Sequence, residues 1–520
     1  MKLDFARNTK RNVAAGALYS GIKLLFPFLN RTLFLWLLGP AYLGLNGLFG
    51  SILGVLMLAE LGFGTAVVCS MYKPIAEDDR ELICAYLRFY RTVYRWVGTA
   101  IFVVGLCLMP FLRQLVHGDL PPDVDLHILY LIHLVNTSIS YFMFAYRGSI
   151  LGAYHRNDVL SNIRTAVSVA QYIAVFMILL ITRNYYHYVI ATVAFSCISN
   201  LLIFRESRRL FPDIEPRGAL PAERRRQVIS DVKSIFLHKV GGVISYSVDN
   251  VVISAFLGLV AVAAYGNYYY VVTSVTGLVG IVASSVVGGF GNKIHTETKA
   301  ANFALFMKMS RISQVTILWC AAMMMALYQP FIAVWTKGDP ALVRHLLTPL
   351  LMVLYFYVNQ SRQMLLSFKS AAALWRQDRW KPIVAGVVNL AFNISFVVYL
   401  PDAYKLDGVI FSTVIGYVFI QIPWESHVVF TSFFGRDEAV KYWWLHARFA
   451  AVAVLLCVAT WWGVSFVGME GWRGLAVKGA AAALLSGALL VVAFRREAMD
   501  MLKGFRRKVD VKGNGKTDES

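Results

Sequence analysis

Runs of twenty or more apolar residues recur between residues 13 and 494 and leave this chain few ways to fold. Each is long enough to cross a hydrocarbon core of about 30 Å. A backbone in lipid must satisfy its own hydrogen bonds, which restricts the runs to helices or to strands of a closed barrel. The apolar–polar alternation of barrel strands is missing, so helices remain. Fourteen spans are expected, at 13–38, 41–67, 92–112, 127–149, 160–182, 185–204, 235–258, 259–288, 308–335, 343–367, 371–400, 407–431, 444–467 and 474–494. The expected fold class is an all-α polytopic membrane protein of about fourteen transmembrane helices. Charged residues make up only 15% of the 520, far below the share in a soluble domain. Residues 1–12 are basic, but the run after them is too long for a signal peptide and reads as a retained first span.

The net charge of +20 would suit nucleic acid if it formed one patch, but it does not. Alternate connections carry nearly all the Lys and Arg: the N-terminus, 68–91, 147–164, 205–240, 289–311, 362–381, 432–448 and the C-terminal tail. The intervening ones hold only Arg113, Arg183, Lys337, Arg344, Lys405, Arg473 and Lys478. This positive-inside pattern puts both termini in the cytoplasm and argues against nucleic acid as a partner. The clusters Arg224-Arg225-Arg226 and Arg506-Arg507-Lys508 read as topology signals and contacts to anionic membrane lipids. Six scattered cysteines without C-x-x-C spacing support neither a metal site nor a disulfide framework. Gly515-Lys516-Thr517 looks like the end of a phosphate-binding loop, but Asp510 occupies the required glycine position, so no nucleotide cofactor is expected.

The chain resembles itself at an offset of about 220 residues. Asn30 to Leu38-Gly39 has the spacing of Asp249 to Leu257-Gly258, and Lys73-Pro74-Ile75 aligns with Asn292-Lys293-Ile294. Arg91 falls on Arg311, Val189-Ile190 on Val409-Ile410, and Glu206 on Glu425. With an even number of spans per half, the repeat is parallel, about an axis along the membrane normal. The expected organisation is two pseudo-symmetric six-helix bundles, 1–206 and 235–431, joined by a cytoplasmic linker at 207–234. Two further helices lie in 432–494, and a basic cytoplasmic tail occupies 495–520.

Within or beside the apolar runs lie Lys23, Arg31, Arg88, Arg91, Arg95, Arg147, Arg164, Lys239, Arg311 and Arg362, opposed chiefly by Glu60 and Asp249. A cation at membrane depth costs roughly 2.5–3.5 kcal/mol on insertion scales, so it faces a wet cavity or a partner. A surplus of them points to a cavity built for an anion, hence to a transporter of negatively charged cargo.

Leu38-Gly39, the stretch Tyr42-Leu43-Gly44-Leu45-Asn46-Gly47-Leu48-Phe49, Leu58-Ala59-Glu60-Leu61-Gly62 and Tyr72-Lys73-Pro74-Ile75-Ala76-Glu77 carry a family resemblance. Together they resemble the N-terminal signature of Wzx-type lipid-linked oligosaccharide flippases, within the multidrug/oligosaccharidyl-lipid/polysaccharide exporter superfamily. The resemblance implies a transporter, not an enzyme, with two six-helix bundles around a cavity open to alternate sides. It implies undecaprenyl-diphosphate-linked oligosaccharide as cargo, moved to the outer leaflet of the bacterial cytoplasmic membrane. A polysaccharide polymerase and glycosyltransferases are the implied partners. Drug-exporting relatives often bind a coupling cation at an acid in span one, and 13–38 contains none. Lipid II flippases are expected to carry cavity arginines on spans two and eight, and 41–67 and 259–288 contain none. Both departures favour the exopolysaccharide branch. The alternatives are a multidrug/cation antiporter, or a membrane polymerase or ligase using Asp119, Asp123 and Asp125 near the longest external connection.

Arg88, Arg91 and Arg95 stand at i, i+3 and i+7 on one helical face. A diphosphate suits the charge-assisted, bidentate bonds of arginine; topology signalling or snorkelling to headgroups would use the same residues. Lys308 and Arg311 repeat part of this face. Lys23 and Asn30 share a face of span one with Arg31 alongside, and the repeat sets Asn30-Arg31 against Asp249-Asn250. An Arg31–Asp249 ion pair closing the cavity outward is one expectation; two separately satisfied polar groups are the other. Arg147, Arg164 and Arg362 read as rim residues or ligands. Glu60 is a candidate for ion coupling, or a helix-end carboxylate paired with an arginine. Tyr265, Tyr268, Tyr269, Tyr270, Trp375 and Trp380 could stack on sugars but suit an interfacial belt better.

Overall fold

The computed structural model describes residues 21–22 and 25–495, except 61, 119, 373, 375, 376 and 379, and gives backbone alone at 59, 231, 233–246, 281–293, 295 and 296. Lys23, Asp119 and Trp375, and the side chain of Lys239, therefore lie outside the described residues. The described residues are mostly helical, with no strand among them. It divides into two compact units, Met1–Ala264 and Tyr265–Ser520.

In the first unit, α1 (Leu25–Leu37) stops at Gly39 and α2 (Pro40–Leu56) starts on the following proline. Proline suits a helix start because its missing N–H would have no intrahelical partner there. Next come α3 (Phe63–Ala76), α4 (Arg80–Leu108), α5 (Leu126–Phe142), α6 (Gly148–Ala153), α7 (Asn157–Thr182), α8 (Tyr185–Leu210), α9 (Ala222–Leu257) and the start of α10 (Leu259–Thr296). Side chains of Asp79, Asp125 and Asn184 accept first-turn N–H groups of α4, α5 and α8, each cap worth about 1 kcal/mol. Gly39 has φ 103°, ψ 174° and Gly258 has φ 88°, ψ 175°. These are the two glycines that the 220-residue offset superimposes, and both hold a backbone geometry that only glycine adopts easily.

The first unit closes through small residues. A Cβ on Gly44 would lie 1.8 Å from the Leu259 carbonyl oxygen, and one on Gly47 3.3 Å from Val262. One turn on, Asn250 donates to the Ser51 hydroxyl at 2.8 Å. Much of the Tyr42–Phe49 signature thus serves as the surface that lets α2 meet α9 and α10. The polar stretch after α8 folds back on the unit: Phe211, Ile214 and Leu220 are buried, and Arg80 pairs with Asp213 at 3.1 Å.

The second unit continues α10 and adds α11 (Lys299–Trp335), α12 (Leu347–Ser361), α13 (Gln363–Ala371), α14 (Lys381–Tyr399), α15 (Lys405–Ile415), α16 (Ile422–Ser432), α17 (Arg436–Ser465) and α18 (Gly471–Ala493). Its core packs Phe306, Phe368, Phe430, Phe434, Tyr442 and Phe449 around α11, α13, α16 and α17. A π turn, Gly416–Gln421, joins α15 to α16.

Among the described residues the apolar runs fall on helix, but several are broken. Span 41–67 divides at Met57–Gly62, 127–149 bends by 47° between α5 and the helix after it, and 343–367 breaks at Arg362. In 371–400 helix resumes only at Lys381. Eight helices among the described residues are long and apolar enough to cross a membrane, and the bent pair makes a ninth. The protein is a multi-pass membrane protein.

Candidate functional site

Where α12 stops, Arg362 enters a buried charge network in the second unit. Its guanidinium grips Glu425 with two bonds, Nε to Oε2 at 3.0 Å and Nη2 to Oε1 at 2.5 Å. Lys381, in the first turn of α14, donates to the same carboxylate and lies 3.3 Å from Asp378. Lys369 on α13 donates to Asp378. All five residues are more than nine-tenths buried. The π turn brings the Tyr417 ring to 4.9 Å from the Arg362 guanidinium carbon. Single-turn π segments recur at functional sites because they re-aim side chains. Three cations face two carboxylates, so the network carries one net positive charge. Desolvating so many charges is repaid only by good geometry, which the two-bond Arg362–Glu425 grip supplies.

The sequence singled out Arg362 as a rim residue or ligand and left out Glu425, Lys381, Asp378 and Lys369. The available signal was Glu425, an acid inside the apolar run 407–431. A carboxylate there announces a buried cation, because a lone charge at membrane depth is costly whichever its sign.

In the first unit, Glu60 sits at the end of the short turn after α2 and accepts hydrogen bonds from the Tyr94 and Tyr141 hydroxyls. The Tyr94 ring lies 4.4 Å from that of Tyr90 and 5.2 Å from that of Tyr141. Among the described residues Glu60 has phenols, not an arginine, as partners. The break at Gly62 turns the chain by a positive φ of 100° and leaves the carboxylate between α4 and α5.

The remaining cations differ in setting. Arg88 is exposed and donates to the Gly218 carbonyl at 3.0 Å; Arg91 is half-buried and Arg95 exposed. Arg164 and Arg311 are exposed. Arg147 is 2% exposed, donates to the Ile214 carbonyl at 2.8 Å, and lies 5.6 Å from the Phe204 ring. That side chain pins the folded-back stretch after α8. Asn30 donates to the Tyr188 hydroxyl at 2.9 Å, and its Oδ1 is buried without a hydrogen bond. Arg31 is half-buried, and Asp249 is 1% exposed beside Asn250, whose Oδ1 is likewise unbonded. The tyrosines of α10 pack inward: Tyr268 stacks on Tyr328 at 5.6 Å and Tyr265 on Tyr269 at 5.8 Å. Trp380 is exposed. No group of three or more potential metal-ligating side chains occurs among the described residues.

A family model described as "Polysaccharide biosynthesis protein" matches residues 9–287. No curated protein matches the chain by sequence. Among solved structures, the lipid II flippase MurJ in an inward closed conformation is similar at TM-score 0.61 and 12% identity, covering 91% of this chain and 98% of that one. An inward-facing multidrug resistance MATE family transporter of the MOP superfamily is similar at TM-score 0.57 and 16% identity, covering 85% and 98%. A MOP superfamily transporter from Pyrococcus furiosus is similar at TM-score 0.50 and 17% identity, covering 85% and 96%. The fold of the chain is the one these transporters share.

Proposed function

The chain belongs to the polysaccharide biosynthesis protein family, and from that premise we propose that it flips undecaprenyl-diphosphate-linked oligosaccharide units across the bacterial cytoplasmic membrane. The observation that carries the reading is the family match over residues 9–287, on a fold whose similar solved structures include a lipid II flippase. The units travel from the cytoplasmic to the outer leaflet by alternating access and supply surface polysaccharide assembly. Both termini lie in the cytoplasm, as the charge asymmetry requires.

Arg88, Arg91 and Arg95 meet the diphosphate on its entry, with Arg164 contributing to the positive charge of the same unit. A diphosphate carries about two charges and several acceptor oxygens, and exposed guanidiniums can exchange water for it at little cost. Glu60 couples transport to a cation or proton, with the Tyr94 and Tyr141 hydroxyls as the donors that position its carboxylate. Arg31 and Asp249 act across the outward gate, with Asn30 and Asn250 beside them. Arg147 and Arg362 already serve the protein's own groups and hold their helices in place.

The test is lipid extraction from cells lacking the protein, with polyprenyl-diphosphate-linked glycans measured by mass spectrometry. Complete units accumulating on the inner leaflet support flipping. Finished units reaching the outer leaflet unpolymerised would transfer the role to a polymerase or ligase. An unchanged lipid-linked pool with altered drug susceptibility would favour antiport.

A further inference from the structure

Near the start of α17, three cations converge without a counter-ion. Arg311 of α11 and Lys441 and Arg448 of α17 line one open cavity of about 540 Å³. All three are exposed, and among the described residues no carboxylate pairs with any of them. The nearest acids in sequence, Asp437 and Glu438, occupy the first turn of α17, and Glu438 folds back over Gly435 instead of toward Lys441. Arg448 is propped by the Phe494 ring, 5.2 Å from its guanidinium carbon. The other walls are apolar, with Met307 and Leu445 inside and Trp444, 71% exposed, at the mouth. Lys441, Trp444 and Arg448 recur at i, i+3 and i+7, so one face of α17 carries the site.

We propose that this cavity binds the phosphate headgroup of a membrane lipid. Both contributing segments, 289–311 and 432–448, belong to the basic set of connections, which places the cavity at the cytoplasmic membrane boundary. There an apolar wall meets acyl chain, a tryptophan sits at headgroup level, and unpaired cations meet phosphate. A phospholipid and a polyprenyl diphosphate share this chemistry.

The full chain in nanodiscs would be titrated by native mass spectrometry with phosphatidylglycerol against phosphatidylcholine of the same acyl chains. The expected result is a preference for phosphatidylglycerol that falls at least roughly tenfold in R311Q/K441Q/R448Q. The same charge change at exposed positions elsewhere, R183Q/R217Q/R473Q, leaves the preference intact, as does the charge-preserving R311K/R448K. Displacement of phosphatidylglycerol by polyprenyl diphosphate would identify the carrier lipid as the occupant, and its persistence would identify the phospholipid. Equal binding by the wild type and R311Q/K441Q/R448Q, or equal loss in the control triple, would overturn the site.

Discussion

Glu425 has no exposed surface and is held by Arg362 and Lys381. Removing one partner of a buried pair strands the other, at about 3–5 kcal/mol, whereas removing both leaves an apolar gap. Arg362→Leu and Glu425→Leu should therefore each lower the thermal transition of the purified protein sharply, and the double variant should lose less than the sum. Strict additivity would mean the two groups act independently. Glu60 is a different case, because its partners are neutral phenols. Glu60→Gln keeps an oxygen that can accept a tyrosine hydroxyl, so folding and surface expression should persist. If the carboxylate couples ion movement, transport in proteoliposomes should nonetheless lose its dependence on the ion gradient. Gradient-dependent transport at the wild-type rate would remove Glu60 from coupling.

At the scale of the helix, glycines divide into those that bear close contact and those that do not. Gly44 meets the Leu259 backbone, which cannot rotate away, whereas a Cβ on Gly50 would have no neighbour within 4 Å. Gly44→Ala should reduce folded yield, while Gly50→Ala on the same helix should be neutral or stabilising by about 0.5–1 kcal/mol. Size-exclusion chromatography and thermal melting of the two variants separate them, and similar behaviour would refute the close approach of α2 to α10. Gly39 and Gly258 are both constrained by backbone conformation, and Gly258 also by space, since a Cβ there would lie 3.0 Å from the His117 carbonyl oxygen. Their shared geometry was foreshadowed by the internal repeat, since Leu-Gly stands at both places. The breaks at Met57–Gly62 and Arg362 were not, although Glu60 and Gly62 mark the first and the polar run Asn359-Gln360-Ser361-Arg362-Gln363 marks the second.

For the whole molecule, the prediction concerns direction and cargo. Neutralising Arg91 and Arg95 together should raise the inner-leaflet pool of lipid-linked units several-fold while leaving the protein folded, because neither side chain is buried. An unchanged pool alongside normal polysaccharide export would exclude this helical face from the transport path.

Membrane residence, helical class and loop polarity were legible in the sequence because they follow from sums over many residues: apolar length, the absence of alternation, and the distribution of Lys and Arg. The family resemblance was legible in residues 38–77, now explained in part by the packing of Gly44, Gly47 and Ser51. What only the tertiary structure decided is which buried charges neutralise one another. Arg362 and Glu425 are 63 residues apart, and no local rule links them. Arg147 read as a rim residue or a ligand, and only the fold shows that the chain after α8 returns to offer it the Ile214 carbonyl. The physical reason is the same in each case. The cost of burying a charge can be read from a single residue, but its compensation depends on a partner that only folding brings within 3 Å.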